Sequence, residues 1–307
     1  MNRVEEIIKK FKEKPYLKRM GSGLIANRLH VSPEEVIKAR KELAKITPSR
    51  PLKVLIFDIE TAPMQAYVWG RWNQNISLDA TISEWFIICW SAKWLYSNKV
   101  IGDVLTPEEI KQEDDLRIVK SLWELINEAD VVVAHNGNKA DIPWINTRFI
   151  IHGLNPPKPY FNVDTCLVAR KQFNFSSNKL DALATYFGVS NKLDTNFELW
   201  KNCLKGCKTS LNYMLEYNKM DVKILEEVYL RLRPWIRNHP NMANIANIES
   251  LDDCCPFCCS SGLEEMIDEY YYTNVNKYKL YRCPKCGGIS RGRKALSQAI
   301  KITNNLR

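Results

Sequence analysis

The 307-residue sequence has no apolar run of the roughly 18 residues that a membrane-spanning helix requires. Its start, residues 1–14, is charged and lacks the apolar core of a secretory signal. An intracellular protein is therefore expected, in the cytoplasm, or in the host cytoplasm if the chain is viral. Acids are missing altogether from residues 275–307, which carry 9 Lys/Arg. Residues 1–50 are also basic, with 13 Lys/Arg against 6 Asp/Glu. Residues 51–274 hold 22 Lys/Arg and 29 acids, so the net charge of +9 divides into +7, −7 and +9 along the chain. An acidic centre between two basic ends fits a metal-dependent site flanked by phosphate-binding arms. Two solubilising ends would give the same balance. The composition, 45% hydrophobic and 26% charged, is that of an ordinary globular protein.

The rest of the chain is organised around Val54-Leu55-Ile56-Phe57-Asp58-Ile59-Glu60-Thr61. Apolar, largely β-branched residues run into two carboxylates two positions apart. In a strand, residues i and i+2 face the same way, so Asp58 and Glu60 project side by side. Their repulsion needs compensation, and a divalent cation supplies it. Oxygen ligands of this kind suit magnesium or manganese better than zinc. Taken alone, the pair reads equally well as two solvated acids on an edge strand.

Before this strand, residues 2–18 read as a helix with Val4, Ile7, Ile8 and Phe11 on one stripe. Ser32, Pro33 and Glu35 form the start of another, a capping box with proline in the first turn. That helix, near 33–45, carries Lys38, Arg40, Lys41 and Lys45. Residues 1–50 thus make a helix-turn-helix-like module that either reads DNA or docks on protein. Residues 47–51 read as a linker.

Residues 51–240 read as one α/β domain. Strands are expected at 52–60, 67–72 and 85–95, then a helix at 107–128 with Leu116, Val119, Leu122, Leu125 and Ile126 spaced for burial. A buried strand at 130–137 and a helix near 140–152 follow. A short strand at 161–165, a helix from 165 to 172 and a helix at 180–187 ended by Gly188 come next. Helices at 209–218 and 220–233 close the domain at Pro234. The pattern indicates a mixed sheet flanked by helices. Trp69 and Trp72, beside Arg71, either stack on bases or pack in the core, and core packing is the expectation.

Two further carboxylate stations follow the first. In His135-Asn136-Gly137-Asn138-Lys139-Ala140-Asp141, a hydrophobic strand delivers a tight turn and an acid at a helix start, where it is either a cap or a third site acid. In Tyr217-Asn218-Lys219-Met220-Asp221, the tyrosine and the acid are four apart and share a helix face. Asp221, with Val222, Ile224, Leu225 and Val228 around it, needs a reason to face inward, and a metal is one.

Together, Phe57-Asp58-Ile59-Glu60-Thr61, His135-Asn136-Gly137 with Asp141, and Tyr217 with Asp221 resemble the three motifs of the DEDD exonucleases, ribonuclease H-like in fold. The tyrosine marks the DEDDy branch, that of the proofreading domains of family A and B DNA polymerases and of the YprB-like (DnaQ-like) exonucleases. The resemblance covers about residues 51–233, and the stretch from Lys179 to Gly188 is similar too. Ala140 departs from the large apolar residue the family usually places before the second-motif acid.

The resemblance implies two Mg²⁺ or Mn²⁺ ions, Asp58 bridging both, Glu60 and Asp221 completing the first site, and Asp141 acting on the second mainly through water. It also implies 3′→5′ hydrolysis to nucleoside 5′-monophosphates, with Tyr217 orienting the attacking water. Asp164 is expected to cap a helix or support the site rather than hold a metal. His135 and Asn136 either contact the terminal nucleotide or satisfy the turn.

Six of the ten cysteines lie in 254–286. Cys255-Pro256-Phe257-Cys258 and Cys283-Pro284-Lys285-Cys286 form two knuckles that would place four thiolates on one Zn²⁺. Cys254 is an alternative to Cys255. A zinc ribbon over 250–307 with a basic tail is expected, Arg291, Arg293 and Lys294 contacting nucleic acid or a protein. Cys89, Cys166, Cys203 and Cys207 read as incidental thiols. The expected substrate has a 3′ end, DNA favoured over RNA. The rival reading is a nucleic-acid-binding or docking component of a replication, repair or transcription assembly that retains the exonuclease fold. The arrangement would suit a phage or bacterial origin.

Overall fold

Three helices open the computed structural model, which describes residues 3–14, 17, 20–46, 51–189, 194–246 and 254–296. Helix α1 (Arg3–Glu13) buries Val4, Ile7, Ile8 and Phe11 against α2 (Ser22–Leu29) and α3 (Pro33–Ile46), through Ile25, Ala26, Val36 and Ala39. It stops short of residue 18 because Pro15 disfavours helical backbone at the residue before it. His30 at φ 54 ends α2. The capping box opens α3, with Ser32 Oγ accepting from the Glu35 amide at 3.1 Å and Glu35 Oε2 accepting from the Ser32 amide at 2.9 Å. Lys38 is exposed, while Arg40 turns inward to donate to Ser22 Oγ and the Met20 carbonyl. The side chains of Lys41 and Lys45 and most of the linker lie outside the described residues.

The chain divides into two units, Lys53–Pro240, and Met1–Leu52 with Asn241–Arg307. The first unit begins with β1 (Val54–Thr61), a short ribbon of β2 (Gln65–Ala66) and β3 (Thr81–Ser83), then β4 (Ile87–Trp94) and β5 (Ile101–Val104). Helices α4 (Pro107–Gln112) and α5 (Leu116–Glu128) lead to β6 (Val131–Ala134), α6 (Asp141–Ile151), β7 (Phe161–Asp164), α7 (Thr165–Gln172) and α8 (Leu180–Tyr186). Helices α9 (Phe197–Leu204) and α10 (Lys208–Leu232) complete it. The sheet order is β5-β4-β1-β6-β7. Strands β1, β6 and β7 are parallel, β4 is antiparallel to β1, and β5 is antiparallel to β4. This is the mixed, helix-flanked sheet expected from the sequence.

The pleat sorts the two faces. Phe57 and Ile59 share one face with Trp90, whose indole donates to the Ile118 carbonyl of α5. Asp58 and Glu60 look the other way, toward α10, alongside Ser91 and Lys93. Lys93 forms a buried ion pair with Glu226 of α10. Glu226 also accepts from the Tyr96 amide at 2.8 Å, so both carboxylate oxygens are used.

Several local expectations need correcting. Residues 67–72 are irregular and exposed, not a strand, and Trp69 and Trp72 are not in the core. The helix at 107–128 is two helices, and Leu116 starts the second with its side chain exposed. Residues 209–218 and 220–233 are one continuous helix, α10, whose apolar contacts on both sides of Asn218 override the polar interruption. Strand β5 and helix α9 were not anticipated.

In the second unit, α11 (Met242–Ile245) precedes a three-stranded antiparallel sheet of β8 (Glu264–Tyr272), β9 (Lys277–Arg282) and β10 (Ile289–Arg291), in the order β10-β9-β8. No helix among the described residues is long and apolar enough to cross a membrane.

Candidate active site

Strand β1 ends in a bulge between Glu60 and Thr61, where pairing with β4 slips. Asp58 and Glu60 thus stand at the carboxyl end of the central strand, half-buried. Asp221 reaches them from α10, itself buried among Val222, Ile224 and Leu225. Carboxylate oxygens of Asp58, Glu60 and Asp221 all lie within 4.8 Å of one another. Asp141, the first residue of α6, is buried and receives the backbone amide of Ile59, which ties it to β1 beside Asp58. It stands outside the close trio. The sequence pattern therefore brings all four acids to one place, three tightly and one at the rim.

The turn that delivers Asp141 has its own requirements. Asn136 takes φ 64, a backbone setting that asparagine tolerates better than most residues. A side chain on Gly137 would put its Cβ 2.6 Å from the Ala134 Cβ, so only glycine fits. Asp164 holds the turn from β7, accepting from the amides of Asn136 (3.0 Å) and Asn138 (3.1 Å) while capping α7 through Leu167. It is a support, as expected. His135 spends both ring nitrogens, one on Thr165 Oγ1 and one on the Asn178 carbonyl, each at 2.9 Å. Burial lowers its pKa, so it stays neutral and structural.

Electrostatics mark the site. Burial pushes the Asp58 carboxyl well above the usual range, and Asp141, Glu60 and Asp221 push it further. Burial likewise lifts Asp141 to about 7 against the amides that hold it. Tyr217 is raised by burial and by Asp221 and Glu60, so its hydroxyl keeps its proton at any physiological pH. Without a cation this pocket forces Asp58 and Asp141 toward protonation. The donor set, carboxylate oxygens only, fits a hard divalent ion that would reverse that tendency.

One site residue escaped sequence reasoning. Asn218, wholly buried on α10, donates its Nδ2 to Asp58 Oδ2 at 2.7 Å. The signal available was an amide in a helix interior, where asparagine is disfavoured, between two motif residues. A second missed cluster fixes α6. Asp115 is fully buried and accepts from Arg148 Nε and Nη2 (2.7 and 2.6 Å), His152 Nε2 (2.5 Å) and the Ile87 amide (2.8 Å).

The cysteines form a second candidate centre. Sulfurs of Cys255, Cys258, Cys283 and Cys286 lie within 4.8 Å of one another. Cys255 and Cys286 are 3.6 Å apart and Cys258 and Cys283 are 3.7 Å apart. Tetrahedral Zn–S bonds of about 2.3 Å require S···S separations of about 3.8 Å, whereas a disulfide requires about 2.05 Å. The thiols therefore fit zinc. Cys254 is not part of the group. Ser260 Oγ sits 3.0 Å from Cys258 Sγ and 3.1 Å from Cys283 Sγ, another contact the spacing did not reveal. Of the remaining thiols, Cys89, Cys166 and Cys203 are buried and Cys207 is exposed. Arg291, Arg293 and Lys294 are exposed, Arg291 lying over the rings of Tyr278 (4.4 Å) and Tyr271 (5.3 Å).

Residues 96–233 match a family model described as RNase_H superfamily. The fold is ribonuclease H-like. The matched segment carries Asp141, Tyr217 and Asp221, while Asp58 and Glu60 precede it. The chain is also 23% identical over 258 residues to the DNA polymerase III PolC-type of Ureaplasma parvum serovar 3 (strain ATCC 700970). That similarity takes in 71% of this chain and 17% of the polymerase, so the chain spans under a fifth of that relative's length. The family B DNA polymerase of the hyperthermophilic archaeon Pyrobaculum calidifontis is similar in structure over 76% of this chain and 33% of its own, at 16% identity and a TM-score of 0.43.

Proposed function

We propose that the chain is a divalent-metal-dependent 3′→5′ exonuclease of the DEDDy type that releases nucleoside 5′-monophosphates, DNA being the favoured substrate. The observation that carries this is the convergence of Asp58, Glu60 and Asp221 within 4.8 Å on one face of the sheet, with Asp141 and Tyr217 beside them. Asp58, Glu60 and Asp221 would hold one ion, and Asp58 with Asp141, through water, a second. Bound there, Mg²⁺ or Mn²⁺ would lower the pKa of a water and stabilise charge on the phosphate and the leaving 3′ oxygen. The chain's own work is positioning. Asn218 fixes the Asp58 carboxylate, and the Asp115 cluster holds α6 and with it Asp141. Tyr217 stays protonated with its hydroxyl hydrogen-bonded to Asp221, so it would orient the attacking water through that same hydroxyl oxygen and does not act as a base.

The thiol cluster would hold one structural Zn²⁺ in a ribbon over residues 250–307, with Arg291, Arg293 and Lys294 offered to nucleic acid. Residues 1–50 would form a further helical module for nucleic acid or for a replication, repair or transcription protein.

The test is a degradation assay with magnesium on end-labelled single-stranded and duplex DNA and RNA, sizing the products. A 3′-end ladder with mononucleotide release is expected, and Asp58→Ala or Asp221→Ala should abolish it without unfolding the protein. Wild-type turnover by purified Asp58→Ala would end the assignment.

A further inference from the structure

Among the described residues, the loop between β2 and β3 carries the most exposed aromatic side chains of its unit. Trp69 is 104% exposed, Trp72 83% and Tyr67 76%. The loop is nevertheless anchored. The Tyr67 amide donates to the Ala80 carbonyl at 2.9 Å, and Gln74 Nε2 donates to the Trp72 carbonyl at 2.7 Å. At its base Ser83 Oγ donates to Glu113 Oε1 at 2.7 Å. Arg71 lies between the two tryptophans and is the only formal charge from Ala62 to Leu78. The loop also grows directly out of the candidate site. Ala62, Pro63 and Met64 alone separate β1 from β2, and Trp69 follows Glu60 by nine residues. At a limit of about 3.5 Å per residue, Trp69 lies within about 30 Å of that carboxylate.

We propose that Tyr67, Trp69 and Trp72, with Arg71, form a stacking platform for the unpaired bases of a single-stranded nucleic acid whose 3′ end lies at the carboxylates. The occupant follows from the chemistry. Indole and phenol faces accept any base, and a guanidinium between them meets the phosphate backbone. The acids of the site repel a polyanion, so a strand held there needs attachment elsewhere, and this loop is joined to the strand that bears them. The proposal deepens the nuclease reading and rests on it.

The test titrates the full chain with labelled oligodeoxythymidylate, without added divalent ion so that nothing is cut. Trp69→Ala and Trp72→Ala should each weaken binding about tenfold, because one stacked base contributes about 1–3 kcal/mol. Trp69→Phe should keep most of the affinity. Thermal midpoints should not move, since the side chains touch little. With magnesium, cleavage of the p-nitrophenyl ester of thymidine 5′-monophosphate, which has no upstream strand, should be unchanged in the variants. Undiminished oligonucleotide binding by the double variant overturns the platform. So does a wild-type dimer that the double variant converts to monomer at unchanged oligonucleotide affinity, which would assign the loop to a second copy. A wild-type protein that cuts neither substrate defeats the nuclease reading, and the titration still decides the platform.

Discussion

Asp58 is the residue on which the other site groups converge. Burial raises its pKa most, Asp141, Glu60 and Asp221 raise it further, and the Asn218 amide opposes them. Removing that amide by Asn218→Ala deletes a hydrogen bond to a charged group, a loss of about 1.5–3 kcal/mol. Magnesium should then be needed at roughly tenfold or higher concentration for half-maximal degradation, while Asn218→Gln restores part of the loss. An unchanged magnesium dependence in Asn218→Ala would remove this residue from the site.

A pH dependence follows from the same carboxylates. Asp141 in the metal-free protein titrates near 7, well above its value in the unfolded chain, and Asp58 shifts the same way. Between about pH 4 and 7 the folded state therefore binds more protons than the unfolded one, and stability falls as pH rises through that window. The thermal midpoint should decline from pH 5 to pH 8, and added magnesium should raise it more at pH 8 than at pH 5. An Asp141→Asn variant should show the smaller pH slope. The four acids were legible in the sequence through their resemblance to three family motifs, since spacing alone left a bland alternative for each. Asn218 was not, because its partner lies 160 residues away and only the fold discloses it.

At the scale of elements, the β6–α6 turn is a tightly constrained piece of backbone. Gly137→Ala would drive a methyl into Ala134, and overpacking of this kind costs about 1–3 kcal/mol. Because the same turn launches Asp141, the variant should lose activity beyond what its lower thermal midpoint explains, measured as turnover at a temperature where it remains folded. The elements misread from sequence share a cause. The expected break in helix α10 at Asn218-Lys219-Met220 does not occur, because Asn218 is buried against Asp58 rather than ending the helix. Strand β5 was missed because Ile101-Gly102-Asp103-Val104 lacks a clean alternation, yet Gly102 is needed where Leu215 of α10 and Ser91 of β4 press close. Trp69 and Trp72 were expected inside because aromatic residues usually are, and a solvent-facing loop defeats that expectation.

For the whole molecule, the two units call for different ions. The sheet unit offers carboxylates alone, and the thiol cluster offers sulfurs spaced for zinc. Atomic absorption on protein purified without chelator should give one zinc per chain, and Cys283→Ser should lose it together with the ordered amide signals of β8–β10. Absence of zinc from the wild type would dismiss the ribbon. The cysteine spacing announced this centre because knuckle geometry is local, whereas nothing local announced Ser260, which reaches two sulfurs from opposite sides of the sequence gap.

Helix α10 has one last consequence. Tyr217, Asn218 and Asp221 ride on an unbroken rod of 25 residues that packs on three strands of the sheet. Their amides belong to the part of a protein that opens only when everything opens. In deuterium exchange they should trade protons in the slowest class, at a rate set by global unfolding. Heat should extinguish hydrolysis and melt the sheet in a single step, leaving no folded but inert species between.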